Sequence, residues 1–228
     1  MKKSNRPRWA VACAVMFAGC LAGAAMTPGQ TCEGTFTSSR LERGSEFKYW
    51  ITAPKALTNG TPCGLVLGLD GWRDVDIAEK LSAEGAMPPC YLVGLEADFL
   101  PATLPGGTKW YLRAEQYDQN GRLFADFLVD EFLPAVTGKY GMVVAPSPDM
   151  HMVIGGSSGG FATWKCLWYR NDYFRRGFMA SPTFDAFRLA NEMLPLIRKC
   201  EPLPIRVAAN CGSVEPNQYG GNSMLVSF

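Results

Sequence analysis

Apolar positions in this chain recur with two periods, and glycine and proline separate one run from the next. Residues 47–53 (Phe-Lys-Tyr-Trp-Ile-Thr-Ala) alternate and are rich in aromatic side chains, as a half-covered strand does, and Pro54 ends them. Residues 64–69 form a nearly unbroken apolar run, the mark of a central strand covered on both faces, and the run stops at Asp70-Gly71-Trp72. Residues 77–84 read as a helix and 90–95 as a further strand, followed by a Pro- and Gly-rich loop to about residue 120. Between Arg122 and Tyr140, Leu123, Phe124, Phe127, Leu128, Phe132, Leu133 and Val136 recur at helical spacing. Residues 150–154 predict a strand and 161–169 a helix. Strands at 176–180 and 205–209 flank a helix at 187–196. The stretch 27–45 is polar and predicts no element. Alternating strands and helices imply an α/β fold in one domain, a mostly parallel central sheet with helices on both faces.

Residues 1–25 stand apart as a targeting segment. Lys2, Lys3, Arg6 and Arg8 precede an apolar stretch from Trp9 to about Ala25, too short and too rich in small residues for a membrane span. Two exits are open. Ala22-Gly23-Ala24 fits ordinary signal cleavage. Phe17-Ala18-Gly19-Cys20 resembles a lipobox that would leave Cys20 as a lipid anchor. Either way the expected place is secreted or periplasmic, with 26–228 as the folded domain.

Composition narrows the classes. Hydrophobic residues at 47% and charged residues at 19% are those of a globular chain. The formal charge of +1 turns negative once the leader's four bases are removed, and no basic stripe points to nucleic acid. Beyond the leader lie Cys32, Cys63, Cys90, Cys166, Cys200 and Cys211, whose pairing the sequence leaves open; Cys166 falls on the buried side of a helix. No Cys/His cluster has zinc spacing, so neither metal nor cofactor is expected.

The chemistry centres on Val153-Ile154-Gly155-Gly156-Ser157-Ser158-Gly159-Gly160-Phe161, read as strand, sharp turn and helix. In the frame Gly156-x-Ser158-x-Gly160 this is a nucleophile elbow with Ser158 at its tip, ready to attack an acyl carbon. An acyl-transfer serine needs an oxyanion hole. The N–H of Gly159 is one donor; the second falls to the loop after an earlier strand, at Gly71 or Trp72.

In combination these segments resemble the esterase family of α/β-hydrolases that includes enterochelin esterase-like proteins, feruloyl and acetyl-xylan esterases and S-formylglutathione hydrolase. The matching residues are Gly68-Leu69-Asp70-Gly71, Ala83-Glu84-Gly85-Ala86-Met87-Pro88-Pro89 and Arg113-Ala114-Glu115-Gln116-Tyr117-Asp118. Residues 124–140, residues 155–168 with Asp172-Tyr173-Phe174-Arg175-Arg176, and residues 196–199 through 204–207 match as well. The resemblance spans about residues 45–222 and is nearest the enterochelin esterase-like branch. It implies an α/β-hydrolase fold and a small-molecule or carbohydrate-linked ester as substrate. It implies Ser158 as nucleophile, a triad acid at Glu215 with Asp185 as the weaker alternative, and Arg113 and Glu115 lining the cleft.

One departure bears on activity. Members of the family carry the catalytic histidine beyond the acid, whereas the sole histidine here, His151, precedes the serine along the strand that feeds it. At about 3.3 Å per residue it stands roughly 20 Å from the elbow. The expectation is a C-terminally truncated esterase, impaired for want of its base. Two rivals are a non-catalytic ester or carbohydrate binder, with Trp50, Trp72, Trp110 and Tyr111 as stacking faces, and an acyltransferase on the same scaffold.

Overall fold

Residues 25–41, 45–97, 101–103, 109–119, 121–184 and 192–212 are described by the structure, a computed structural model; the side chains of 101–112, 114 and 115 lie outside the description. Seven strands form one sheet in the order β1-β2-β4-β3-β7-β8-β9. Their bounds are β1 Thr31–Thr37, β2 Glu46–Thr52, β3 Gly64–Leu69, β4 Cys90–Glu96, β7 His151–Gly156, β8 Arg176–Ala180 and β9 Arg206–Asn210, while β5 Pro101–Thr103 and β6 Lys109–Tyr111 form a separate antiparallel pair. Within the seven-stranded sheet β1, β2 and β4 pair antiparallel, and every other pairing is parallel. The helices are α1 Val75–Ala83, α2 Leu112–Asp118, α3 Leu123–Phe127, α4 Leu133–Lys139, α5 Ser158–Tyr169 and α6 Met193–Lys199. This is the mostly parallel α/β sheet that the hydropathy pattern implies.

Three stretches differ from the sequence reading, the first being 96–120, read as a loop, which carries the short strands β5 and β6 and then α2. β1 lies in the stretch read as polar and structureless. It alternates between exposed and half-buried positions, and its pairing with β2 recruits it, since its own hydrophobicity supplies little beyond Phe36. That ring meets Phe127 and Phe132 at 6.1 and 5.5 Å. The segment read as one helix over 122–140 is broken by a π turn, Leu128–Phe132, between α3 and α4. Pro134 has no N–H to return to the preceding turn, and the Leu133 N–H bonds the Leu128 carbonyl instead. The apolar stripe survives the break: Phe124, Phe127, Leu128, Phe132, Leu133 and Val136 are buried, while Leu123 is exposed.

Those side chains form the main core against Phe47, Tyr49, Ile51, Leu65, Leu67 and Val93 of the sheet. Phe47 stacks on Phe127 at 4.8 Å. α5 packs on the same face, with Cys166 fully buried as the core residue expected and its thiol pushed up to about 12 by burial. α6 joins through the cluster of Phe161, Trp164, Met179 and Met193. α1 lies on the opposite face.

Candidate active site

The chain changes direction between β3 and β7. From β3 it runs through α1 to β4 on one side; from β7 it runs through α5 to β8 on the other. At such a switch point the loops leave a crevice above the carboxyl ends of the strands, where α/β proteins place ligands. Backbone strain gathers there. Asp70, Ser157 and Ser181 are the non-glycine residues with positive φ among those described, at 57°, 53° and 44°. Each directly follows a strand: β3, β7 and β8. Such conformations cost about 1–3 kcal/mol each and persist where surrounding structure enforces them.

The tip of the elbow is Ser157, one residue before the sequence-based assignment. Ser157 has φ 53° and ψ −125° and immediately precedes α5, whereas Ser158 is already the first helical residue. The glycines explain the frame. A methyl group on Gly155 would strike the Gly159 carbonyl and come 2.9 Å from Thr163 Oγ1. One on Gly159 would come 3.0 Å from the Asp70 carboxylate. One on Gly156 would meet nothing nearer than the Ala180 carbonyl, at 3.5 Å. The close approach of strand and helix demands glycine at 155, the Asp70 side chain crowds position 159, and with the positive φ at Ser157 the elbow reads Gly155-x-Ser157-x-Gly159. Gly160 is small for another reason: a Cβ there would come 2.8 Å from Pro182. Two overlapping Gly-x-Ser-x-Gly frames hid this in the sequence.

Ser157 is exposed, and the exit of β8 braces it. Its N–H bonds the Ala180 carbonyl at 2.9 Å, its own carbonyl accepts from the Thr183 N–H at 3.1 Å, and Oγ stands 3.4 Å from Thr183 Oγ1. Sequence reasoning missed Thr183, since nothing in the local pattern joins it to the elbow.

Facing the elbow, the Leu69 carbonyl accepts from the Trp72 N–H at 3.2 Å across Asp70-Gly71, both at positive φ as in a type I′ turn. The turn lies directly over Gly68, where a Cβ would collide with the Trp72 carbonyl. Both expected oxyanion donors in this loop hold a backbone bond, Trp72 the longer turn bond and Gly71 the shorter one. The Gly71 N–H is committed to the Leu95 carbonyl at 2.8 Å.

Asp70 was not singled out as a site residue, yet it organises this loop. Arg113 grips both its oxygens with a bidentate fork, 2.7 Å from each nitrogen. Tyr117, fully buried, accepts the Asp70 N–H at 3.3 Å and lies beneath Arg113, whose guanidinium is 4.9 Å from its ring. Burial, then the Asp70 charge, hold the Tyr117 phenol well above its ordinary value. The buried Lys165 ammonium of α5 donates to the Gln119 and Gln116 carbonyls at 2.7 and 3.3 Å, tying the end of α2 to the elbow helix. Burial lowers that ammonium to about 8. Glu115 lies in α2, but its side chain falls outside the described residues, as do Glu215 and Asp185 entirely.

His151 opens β7, beside Leu65 of β3, at the end of the strand away from Ser157. It is 3% exposed, with Nδ1 and Nε2 at 2.9 and 2.7 Å from the Tyr173 and Ala145 carbonyls. It is a packing residue at the foot of the sheet. Among the described residues no group of His, Cys, Asp or Glu side chains is arranged to hold a metal ion. No helix among them is long and apolar enough to cross a membrane.

No protein-family model matches the chain, and no curated protein matches it by sequence. Solved structures do. The enterobactin esterase of Shigella flexneri, determined with enterobactin, superposes with TM-score 0.69 at 18% identity over 91% of this chain and 52% of its own. The BES protein of Bacillus cereus gives 0.59 at 16% identity, covering 89% and 85%. A siderophore hydrolase of Aspergillus nidulans gives 0.57 at 16%, covering 89% and 78%. The chain thus spans about half the length of the Shigella enzyme. At these identities the likeness establishes the fold, and the fold is that of the α/β-hydrolases, in the form shared by esterases of the enterochelin and feruloyl type.

Proposed function

We propose that this chain carries a serine-hydrolase site for small-molecule or carbohydrate-linked carboxylic esters, with Ser157 in place of Ser158 as nucleophile. One observation carries the reading: an exposed serine at positive φ, at the junction of a central parallel strand and a helix, beside the switch point of the sheet. Attack of Ser157 Oγ on the ester carbonyl forms a tetrahedral intermediate. Its oxyanion faces the N–H of Ser158, a first-turn amide of α5 without an intrahelical acceptor. The positive end of the helix dipole adds to it. With Gly71 committed elsewhere, Trp72 supplies the second N–H by giving up its long turn bond. Asp70, Arg113 and Tyr117 position that turn. Collapse expels the alcohol and leaves an acyl-Ser157, which water then hydrolyses.

Proton removal from Ser157 requires a base. The one imidazole among these 228 residues is His151, at the far end of β7, so within them the reaction lacks its usual partner and is slow. Glu215, or Asp185, remains the proposed acid. The leader read in residues 1–25 puts this chemistry in an exported protein, anchored at Cys20 if the lipobox is used. The placement of His151 favours a second reading, a binder of the same esters without turnover.

The test is labelling with an alkyl fluorophosphonate and mapping of the adduct by mass spectrometry. Slow labelling at Ser157 is expected, accelerated by added imidazole, abolished in Ser157→Ala and retained in Ser158→Ala. Loss in Ser158→Ala with retention in Ser157→Ala would return the nucleophile to position 158. No adduct at either serine, with or without imidazole, while aryl esters still bind, would establish the binder.

A further inference from the structure

The described helices share the two faces of the sheet unequally. α3 to α6 cover one. On the other, α1 stands alone among the described helices, and none of its residues is buried. Between α1 and the sheet runs an apolar groove of about 270 Å3, with Val66, Met152, Ile154 and Phe178 as its floor and Ile77 and Leu81 as its wall. The floor is continuous because of register: Val66 pairs with Met152, and Ile154 with Phe178, across three parallel strands. No side chain of that floor carries an N–H or O–H. Arg73 and Asp74, the charged members of the lining, stand where α1 begins, and both are engaged. Arg73 lies over the Trp50 ring at 5.0 Å, and Asp74 accepts the Ile77 N–H at 3.1 Å. The interior therefore suits an occupant without polar groups.

The groove leads to the elbow. Along β7 the residues on the groove face are Met152, Ile154 and then Gly156, immediately before Ser157. Gly156 pairs with Ala180, two residues beyond Phe178 on β8. A Cβ at Gly156 would meet nothing nearer than the Ala180 carbonyl, at 3.5 Å. A glycine and an alanine thus leave the groove open beside the elbow, where side chains as large as those of the floor would close it. Trp72 walls the other side of this opening. Its turn lies over Gly68, the partner of Ile154, and its ring is 6.1 Å from Phe178. The residue whose N–H is proposed to face the oxyanion therefore also borders the groove. From Gly156 to Met152 the strand runs roughly 13 Å at about 3.3 Å per residue, the length of an extended alkyl chain of about ten carbons with bonds of about 1.5 Å. A single aromatic ring fills only part of that length. Met87 and Met152 line the groove as well, and their flexible thioethers adapt to a chain.

We propose that this groove seats an unbranched alkyl chain, so that the esters taken at Ser157 carry a saturated acyl group of medium length. The acyl carbon stands at Ser157, the chain passes over Gly156 beside Trp72, and its methyl end lies toward Met152 and Met87. The substrate class rests on Ser157 as nucleophile, whereas the seat for the chain does not. Burial of each methylene between α1 and the sheet drives binding, and Ile77, 55% exposed in the empty groove, is covered by the chain.

Two measurements on the whole chain test this. In the first, n-alkyl fluorophosphonates from ethyl to dodecyl, below their aggregation limits and with imidazole added, are timed for adduct formation at Ser157. The rate should rise about two- to fourfold per methylene and level off near ten carbons. Ile77→Asp, a change at an exposed position, should cut the decyl-to-ethyl ratio at least several-fold; the ratio is internal to each variant, so a general loss of reactivity does not move it. In the second, decanoate bearing a terminal alkyl diazirine is irradiated with the Ser157→Ala variant and mapped by mass spectrometry. Crosslinks should fall on the peptides carrying Met87, Met152 or Ile77–Leu81. Groove crosslinks without any Ser157 adduct would remove the nucleophile and keep the seat. A Ser157 adduct whose rate ignores chain length, a gain that persists in Ile77→Asp, or crosslinks outside the groove would overturn the seat and leave the nucleophile standing.

Discussion

Alanine at Gly155 and at Gly156 separates the two possible frames of the elbow. At Gly155 the added methyl runs into the Gly159 carbonyl and the Thr163 hydroxyl. The obstacle is backbone in the first turn of α5, which cannot swing aside as a side chain would. Overpacking of this kind costs about 1–3 kcal/mol, and a rigid obstacle places it at the upper end. At Gly156 the methyl meets the Ala180 carbonyl at 3.5 Å and the Ala180 Cβ at 3.8 Å, which is ordinary contact. The backbone there does not have positive φ, so alanine gains about 0.4–1 kcal/mol by restricting the unfolded chain. The two variants should differ by about 3–4 kcal/mol. For a domain of this size that is roughly 6–16 °C in melting temperature. Thermal and urea denaturation followed by circular dichroism measure it. Gly156→Ala as damaging as Gly155→Ala would refute the frame, and Ser158 would again occupy the tip.

A double-mutant cycle on Asp70→Asn and Arg113→Met should give a coupling of about 1–3 kcal/mol in urea denaturation, because the fork is bidentate and the side chains are only 29% and 20% exposed. Additivity within about 0.5 kcal/mol would remove this pair from the support of the turn. For His151, burial pulls the imidazole below its ordinary value, and the Tyr173 and Ala145 carbonyls oppose that pull. The neutral ring is favoured in the fold, so its contribution is complete above about pH 6.5 and is lost as pH falls from there through the lowered value. As the sole histidine it is directly visible by NMR titration, and His151→Asn should flatten that part of the stability profile. A midpoint above 6.5 would show instead that the two carbonyls hold an imidazolium.

The sequence by itself determined the sheet, the order of its parallel strands along the chain, and the glycine-rich strand–helix junction near residue 157. Those features rest on local periodicity and on glycine spacing, which a linear pattern records directly. It also placed His151 at the wrong end of its strand, a matter of counting residues at a fixed rise. It did not find β1, whose stability comes from pairing with β2, nor the π turn forced within the apolar stripe of 128–132. Only the tertiary structure decided which serine turns the corner. Both frames satisfy Gly-x-Ser-x-Gly, and the choice lies in contacts with Gly159, Thr163 and Asp70 that arise when strand, helix and the β3 turn converge. The partnership of Asp70 with Arg113, the engagement of the Gly71 N–H by Leu95 and the bracing of Ser157 by Thr183 are long-range in the same way. Residues far apart in the chain meet there because parallel strands gather their carboxyl ends at one edge, and no local pattern encodes that meeting.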